Sequence, residues 1–150
     1  MGPYTVMVID VPAVPTLVIR RRARGSDLAK VVPEGCGAAW ELLRGQGLRG
    51  GHNIALYLDG GMVEAGVEFS GAVGATGKVL RATLPAGRAA TAMHRGRYTD
   101  LGRAHAAVRE WCKGAGLALA GPSWEVYGHW QDAWNTDPSK IETEVFWLLK

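Results

Sequence analysis

Residues 114–130 read GAGLALAGPSWEVYGHW, and after a longer loop residues 141–147 read IETEVFW. They restate residues 45–69, GQGLRGGHNIALYLDGGMVEAGVEF. Gly45, Gly47 and Leu48 recur as Gly114, Gly116 and Leu117, and Tyr57 recurs as Tyr127. The copies differ at two places. Ala55 lies opposite Glu125, and Gly66 lies opposite Glu144. A duplicated scaffold that carries two carboxylates in one copy only predicts a groove between the halves, polarised toward a ligand.

Working outward, each half has the same order. Tyr4 to Asp10 is apolar and β-branched, Val11-Pro12 and Val14-Pro15 interrupt it, and Thr16 to Arg24 resumes as extended chain. Proline cannot donate to a central ladder, so the first strand is bent or split. Pro33 suits the first position of a helix, in which Cys36, Ala39, Trp40 and Leu43 recur at helical spacing. Gly45 and Gly47 end it. His52 to Asp59 and Met62 to Phe69 flank Gly60-Gly61, a hairpin signal. After residues 70–76, Lys78 to Leu84 and Arg88 to His94 are strands about a Pro85-Ala86-Gly87 turn. Thr99 or Asp100 caps a second helix, with Leu101, Ala104, Val108 and Trp111 on its buried face and Cys112 beside them. Ser123 to Gly128 and Ile141 to Leu149 are the last strands.

The expected fold class is α+β. Duplicated βαββ units form a mostly antiparallel sheet, with two main helices on one face and a ligand groove on the other. The 150 residues fit one domain, with pseudo-repeats about 1–70 and 77–150 that are each too small to stand alone.

Strand alternation sorts the side chains. If the more apolar sets meet the helices, Trp124, Val126, Val145 and Trp147 lie there, and Glu125, Tyr127, Glu144 and Phe146 share the groove face. Six tryptophans are many for this length. Trp40, Trp111 and Trp147 are assigned to the core. Trp130 and Trp134 fall in the 129–140 insertion (HWQDAWNTDPSK), which the first copy lacks; they either stack on a flat ligand or pack the loop down on the sheet.

The bulk properties exclude several classes. No apolar run of eighteen residues exists, so no membrane span is expected. The start, MGPYTVMVIDVP, lacks the pattern of a signal peptide, which points to a cytoplasmic protein. Cys36 and Cys112 lack metal or redox spacing and read as reduced core thiols. Four scattered histidines predict no metal, and no cofactor motif appears. A net charge of +3 is too mild to argue for direct nucleic-acid binding. The Arg20-Arg21-Arg22-x-Arg24 run is best read as a solvated strand edge.

The segment LPAGRAATAMHRGRYTDLGRAHAAVREW, followed by GLALAGPSWEVYGHW and IETEVFWLL, resembles the GyrI-like small-molecule-binding domain, the effector-binding module of many AraC- and MerR-type transcription regulators. The resemblance covers nearly the whole chain. It rests on Leu84-Pro85-x-Gly87, His94-x-Gly96-x-Tyr98, Gly121-Pro122 followed by Glu125-x-Tyr127, and Thr143-Glu144. It implies that the residue at Glu125 meets the positive charge of an aromatic cation, that Glu144 lies on the neighbouring strand, and that aromatic side chains sandwich the ligand. The chain begins at the first strand with no helix-turn-helix ahead of it, so a stand-alone module is expected.

Three functions are consistent with this. The first is a small-molecule-binding domain for aromatic, amphipathic or cationic ligands, monomeric or homodimeric. In it Glu125 and Glu144 supply charge, and Tyr57, Tyr127, Phe146, Trp130 and Trp134 supply stacking surface. The second, carried by the resemblance, is a hydrolase of cyclopropanoid alkylators with Glu125 or Glu144 as catalytic base. The third is a gyrase-modulating protein-binding module.

Overall fold

The computed structural model describes residues 4–150. Residues 1–3, the start of the stretch read for a signal sequence, lie outside it. The main elements are β1 (Met7–Val11), β2 (Val14–Arg22), α1 (Leu28–Gly45), β3 (Arg49–Leu58), β4 (Met62–Ser70), β5 (Leu80–Leu84), β6 (Gly87–Arg95), α2 (Leu101–Gly114), β7 (Leu119–Tyr127), α3 (Ala133–Thr136) and β8 (Glu142–Leu149). The fold is α+β and mostly antiparallel, with two main helices, as the sequence pattern predicts.

The chain forms two compact units, Pro12–Ala86 and the segment through Val11 together with Gly87–Lys150. The strand split at Val11-Pro12 explains this division. β1 pairs antiparallel with β6, Met7 opposite Thr91, whereas β2 pairs with β4 and β5. Each half of the sequence thus lends its first strand to the unit built by the other half.

The Pro12–Ala86 unit orders its strands β3-β4-β2-β5, all antiparallel. α1 covers one face, where Leu17, Ile19, Ala39, Leu43, Val67 and Val79 form the core. One glycine lets α1 approach the sheet, and another lets β4 lie close against β2. A Cβ on Gly35 would sit 2.3 Å from the carbonyl oxygen of Ala65, and one on Gly66 would sit 1.8 Å from that of Leu17. The Gly66/Glu144 difference between the copies therefore has a packing cause on the glycine side. α1 also starts earlier than Pro33 suggests: Leu28 opens it and Pro33 lies inside.

Arg20, Arg21 and Arg22 lie beyond the stretch of β2 that pairs with β5, so they border solvent. Arg20 pairs with the buried Glu64 at 2.6 Å, Arg21 with Glu34, and Arg22 donates to the carbonyl of Gly60.

In the other unit the order is β1-β6-β8-β7, again antiparallel. Leu101, Ala104, Val108 and Cys112 of α2 pack on Ala90, Ala92, Val145 and Leu149. Full burial of a Val or Leu side chain contributes about 1.5–3 kcal/mol. The expectation that Trp111 belongs to this core is corrected, because it is 40% exposed. The stripe runs through residues 101, 104, 108 and 112, and a neighbour one position away is turned about 100° from it.

Candidate functional site

β7 carries an irregularity between Leu119 and Ser123, after which its side chains alternate regularly. Glu125 stands opposite Val145, and Val145 faces α2. Glu125 and Tyr127 therefore point to the helix-covered side, not to the face away from it as expected. Trp124 and Val126 take the far side. The physical reason is that both sides of β7 are well covered. Trp124 stacks on Phe146 with ring centroids 5.1 Å apart and planes 6° apart, and both rings are buried. Apolarity alone could not tell which side the helix covers.

Glu125 is 3% exposed. His105 Nε2 lies 2.7 Å from its Oε2, and the Tyr127 hydroxyl donates to its Oε1 at 2.5 Å. Behind His105, the indole Nε1–H of Trp147 donates to Nδ1 at 3.0 Å. An indole N–H can only donate. Nδ1 is thus the acceptor, and the ring proton sits on Nε2, facing the carboxylate. The Arg109 guanidinium lies 5.2 Å over the Trp147 ring, and Tyr98 meets Tyr127 edge-on at 5.5 Å.

Sequence reasoning missed His105, although the signal was present. Residues 101, 105, 108 and 112 recur at i, i+4, i+7 and i+11, which places His105 on the buried stripe of α2.

The same face holds a polar row across three strands, with His94, Thr143 and Tyr127 in register. Thr143 is fully buried, and its Oγ1 has no hydrogen-bond partner among the described residues. At the end of this row, Tyr4, Met93, His94, Arg95, Asp100 and Arg103 line a cavity of about 310 Å³. The Tyr4 hydroxyl donates to His94 Nδ1 at 2.9 Å, and His94 Nε2 donates to the carbonyl of Arg97 at 3.0 Å. Burial pushes the Tyr4 phenol above its ordinary range, against the lowering influence of Arg103.

Glu144 is not with Glu125. It stands opposite Val126 and Met93, on the far side, where its Oε2 accepts from Thr91 Oγ1 at 3.2 Å. Phe146 shares that side. The expectation that the two glutamates share one face is corrected, and no single water can lie against both. The error lies on β7 alone, since β8 turns Val145 and Trp147 toward α2 as expected.

Tyr57 lies in the Pro12–Ala86 unit, half-buried and opposite Val63. It is on the side that α1 covers, because Asn53, two pairs along the same strand, accepts from Trp40 Nε1 at 2.6 Å. In the insertion, Trp134 is buried and meets the exposed Trp130 edge-on at 5.4 Å. A Cβ on Gly128 would lie 3.0 Å from the Trp134 ring, so this tryptophan packs the insertion down on the end of β7. Among the described residues, no three His, Cys, Asp or Glu side chains converge as a metal site. Among the described residues, no helix is long and apolar enough to cross a membrane.

The sequence pattern of the family described as the GyrI-like small molecule binding domain matches residues 4–150. Among solved structures, the fold is similar to the EcmrR C-terminal domain, with TM-score 0.83, 22% identity, and 99% of each chain covered. In the EcmrR–DNA complex the match covers 98% of this chain and 57% of that one, at TM-score 0.80 and 22% identity. SAV2435 bound to tetraphenylphosphonium is similar at TM-score 0.64 and 14% identity, covering 97% of this chain and 94% of that one. No curated protein matches.

Proposed function

This chain belongs to the GyrI-like small molecule binding domain family, and on that premise we propose that it captures aromatic cations, with Glu125 as the carboxylate that meets the positive charge. The observation that carries this reading is the setting of Glu125. It is a buried glutamate held by an imidazole and a phenol. The other deeply buried glutamate, Glu64, has a different setting, because Arg20 neutralises it with two bonds of 2.9 and 2.6 Å. A carboxylate in a partly dry site acts on a nearby charge more strongly than one at a surface. Tyr127 bonds it, Tyr98 meets Tyr127 edge-on and Trp147 backs His105, and an aromatic face adds about 0.5–2 kcal/mol to cation binding. A neighbour of the same fold is bound to tetraphenylphosphonium, which fits a cation-accepting role.

The test is charge dependence. Tetraphenylphosphonium and the neutral triphenylphosphine oxide have similar aromatic bulk. Calorimetric titration giving clearly tighter binding of the cation supports the reading. Equal affinity for both means that the site selects bulk alone.

A further inference from the structure

β6 runs on past the strand beside it. β1 pairs with β6 from Met7 opposite Thr91 to Val11 opposite Gly87, whereas β6 continues to Arg95. Ahead of β1, the Tyr4 ring stacks on His94 with centroids 5.9 Å apart and planes 24° apart. Tyr4, Met93, His94, Arg95, Asp100 and Arg103 thereby line the cavity of about 310 Å³. That volume is at the lower end of the usual span for small-molecule sites, about 300–1,000 Å³. We propose that this cavity is a separate binding site for a small zwitterion of the amino-acid type, with Asp100 and Tyr4 taking the ammonium group and Arg103 the carboxylate. The proposal does not rest on Glu125 or on the function given above.

Asp100 and Arg103 carry opposite charges three residues apart, a spacing at which helical side chains can pair. They do not pair. Among the described residues neither side chain makes a hydrogen bond or an ion pair, and Asp100, at the N-cap position of α2, caps no N–H. Both charges act on one atom. Burial raises the Tyr4 phenol, Arg103 lowers it and Asp100 raises it, so each lies within electrostatic reach of the Tyr4 hydroxyl. That hydroxyl donates to His94 Nδ1 at 2.9 Å, which leaves its oxygen able to accept. His94 is 2% exposed and is fixed from its other side, where Nε2 bonds the carbonyl of Arg97 at 3.0 Å.

The lining selects for both charges together. A purely cationic ligand would meet Arg103 and Arg95, and a purely anionic one would meet Asp100. An ammonium and a carboxylate on one carbon answer both sides. Arg95 is already engaged in part, since its Nε donates to Glu142 Oε2 at 3.2 Å. The planar fork of a guanidinium matches a carboxylate, and an ammonium has three donors for oxygens such as those of Asp100 and Tyr4. Met93, 38% exposed, offers apolar surface to an aliphatic side chain.

L-Leucine is therefore the probe. Its single-charge analogues are 3-methylbutylamine, which lacks the carboxylate, and 4-methylpentanoate, which lacks the ammonium group. Backbone amide NMR titration of the full chain reads both place and affinity. Leucine is expected to shift the amides of residues 93–95 and 100–103 saturably, with a Kd at or below about 1 mM. Each analogue is expected to bind at least about tenfold more weakly, the scale of one lost hydrogen bond between charged groups.

Asp100 and Arg103 are exposed at the entry to α2, and Asp100→Asn and Arg103→Gln are expected to melt as the wild type does. Each is expected to weaken leucine about tenfold. The losses are specific: Arg103→Gln should no longer distinguish leucine from 3-methylbutylamine, and Asp100→Asn should no longer distinguish it from 4-methylpentanoate. The wild-type series needs no variant to fold. No saturation by about 10 mM leucine, tenfold above that Kd, overturns the proposal. So does either analogue binding as tightly as leucine, or a set of shifts confined to other residues. If tetraphenylphosphonium does not bind while leucine gives the expected pattern, the function proposed above fails and this site stands.

Discussion

Glu125 and Glu144 sit on neighbouring strands one register step apart, yet they face opposite sides of the β7–β8 pair. Glu125 meets His105 of α2, and Glu144 meets Thr91 of β6. The asymmetry between the sequence halves therefore places two carboxylates in two different environments. Glu125 is the one built into a buried network. Removing the charge of Glu144 is expected to change cation affinity by less than about 0.5 kcal/mol, within the range of a surface substitution. A fluorescence titration of Glu144→Gln with a cationic dye checks this, and a loss as large as that from Glu125→Gln contradicts it.

The backbone approach at Gly66 and Gly35 predicts a pattern of stabilities. Gly66→Ala and Gly35→Ala each force a methyl group into a carbonyl, and overpacking of this kind costs about 1–3 kcal/mol or more. Gly37 lies in the same helix with nothing within 4 Å of its would-be Cβ. Gly37→Ala is expected to stabilise by about 0.5–1 kcal/mol through helix propensity. Urea midpoints of the three variants read this directly, and a Gly66→Ala midpoint at or above that of the wild type would be inconsistent with the packing described.

Burial pushes the Cys36 thiol up to about 11 and raises that of Cys112 as well. Both thiols are free and buried, so alkylation at pH 8 is expected only on unfolding, because the thiolate is the reactive form. The sign for stability follows from linkage. The unfolded thiol ionises first, near its ordinary value of about 8.5–9. The contribution of Cys36 is thus fully present below that value and is lost as the pH rises toward about 11, at about 1.4 kcal/mol per pH unit. Comparison with Cys36→Ala isolates it: the stability gap between wild type and variant is expected to shrink between these values and to be constant below them.

Thr143 is fully buried and its hydroxyl has no partner among the described residues. An unsatisfied buried polar atom costs about 1–3 kcal/mol. Thr143→Val, nearly the same shape, is therefore expected to melt at or above the wild-type temperature. A clear loss of stability would show that the hydroxyl is satisfied in solution.

Most of the strand order could be read from residues whose effect is local. Gly60-Gly61 closes the β3–β4 hairpin, Pro85 to Gly87 turns β5 into β6, and Pro12 breaks the first strand where the chain passes from one unit to the other. The start of α1 was not legible. Val31, Val32 and Pro33 argue against a helix locally, and the close fit of Gly35 on Ala65 outweighs them. In the candidate site, Glu125 and Tyr127 were found because the duplication marks them. Their orientation was hidden, because Trp124 and Phe146 make the far side of the sheet as apolar as the side under α2. His105 could have been read from helical spacing, but the Trp147 donor behind it comes from a strand 42 positions later, and only the fold brings the two together.

The central claim is that the Glu125 carboxylate meets the charge of the ligand. Calorimetric titration of tetraphenylphosphonium into wild type and Glu125→Gln tests it most directly, since glutamine keeps the shape and removes the charge. The expected loss is about 1.5–3 kcal/mol, or roughly 10- to 150-fold in Kd. Equal affinity for the two proteins would remove Glu125 from the binding site.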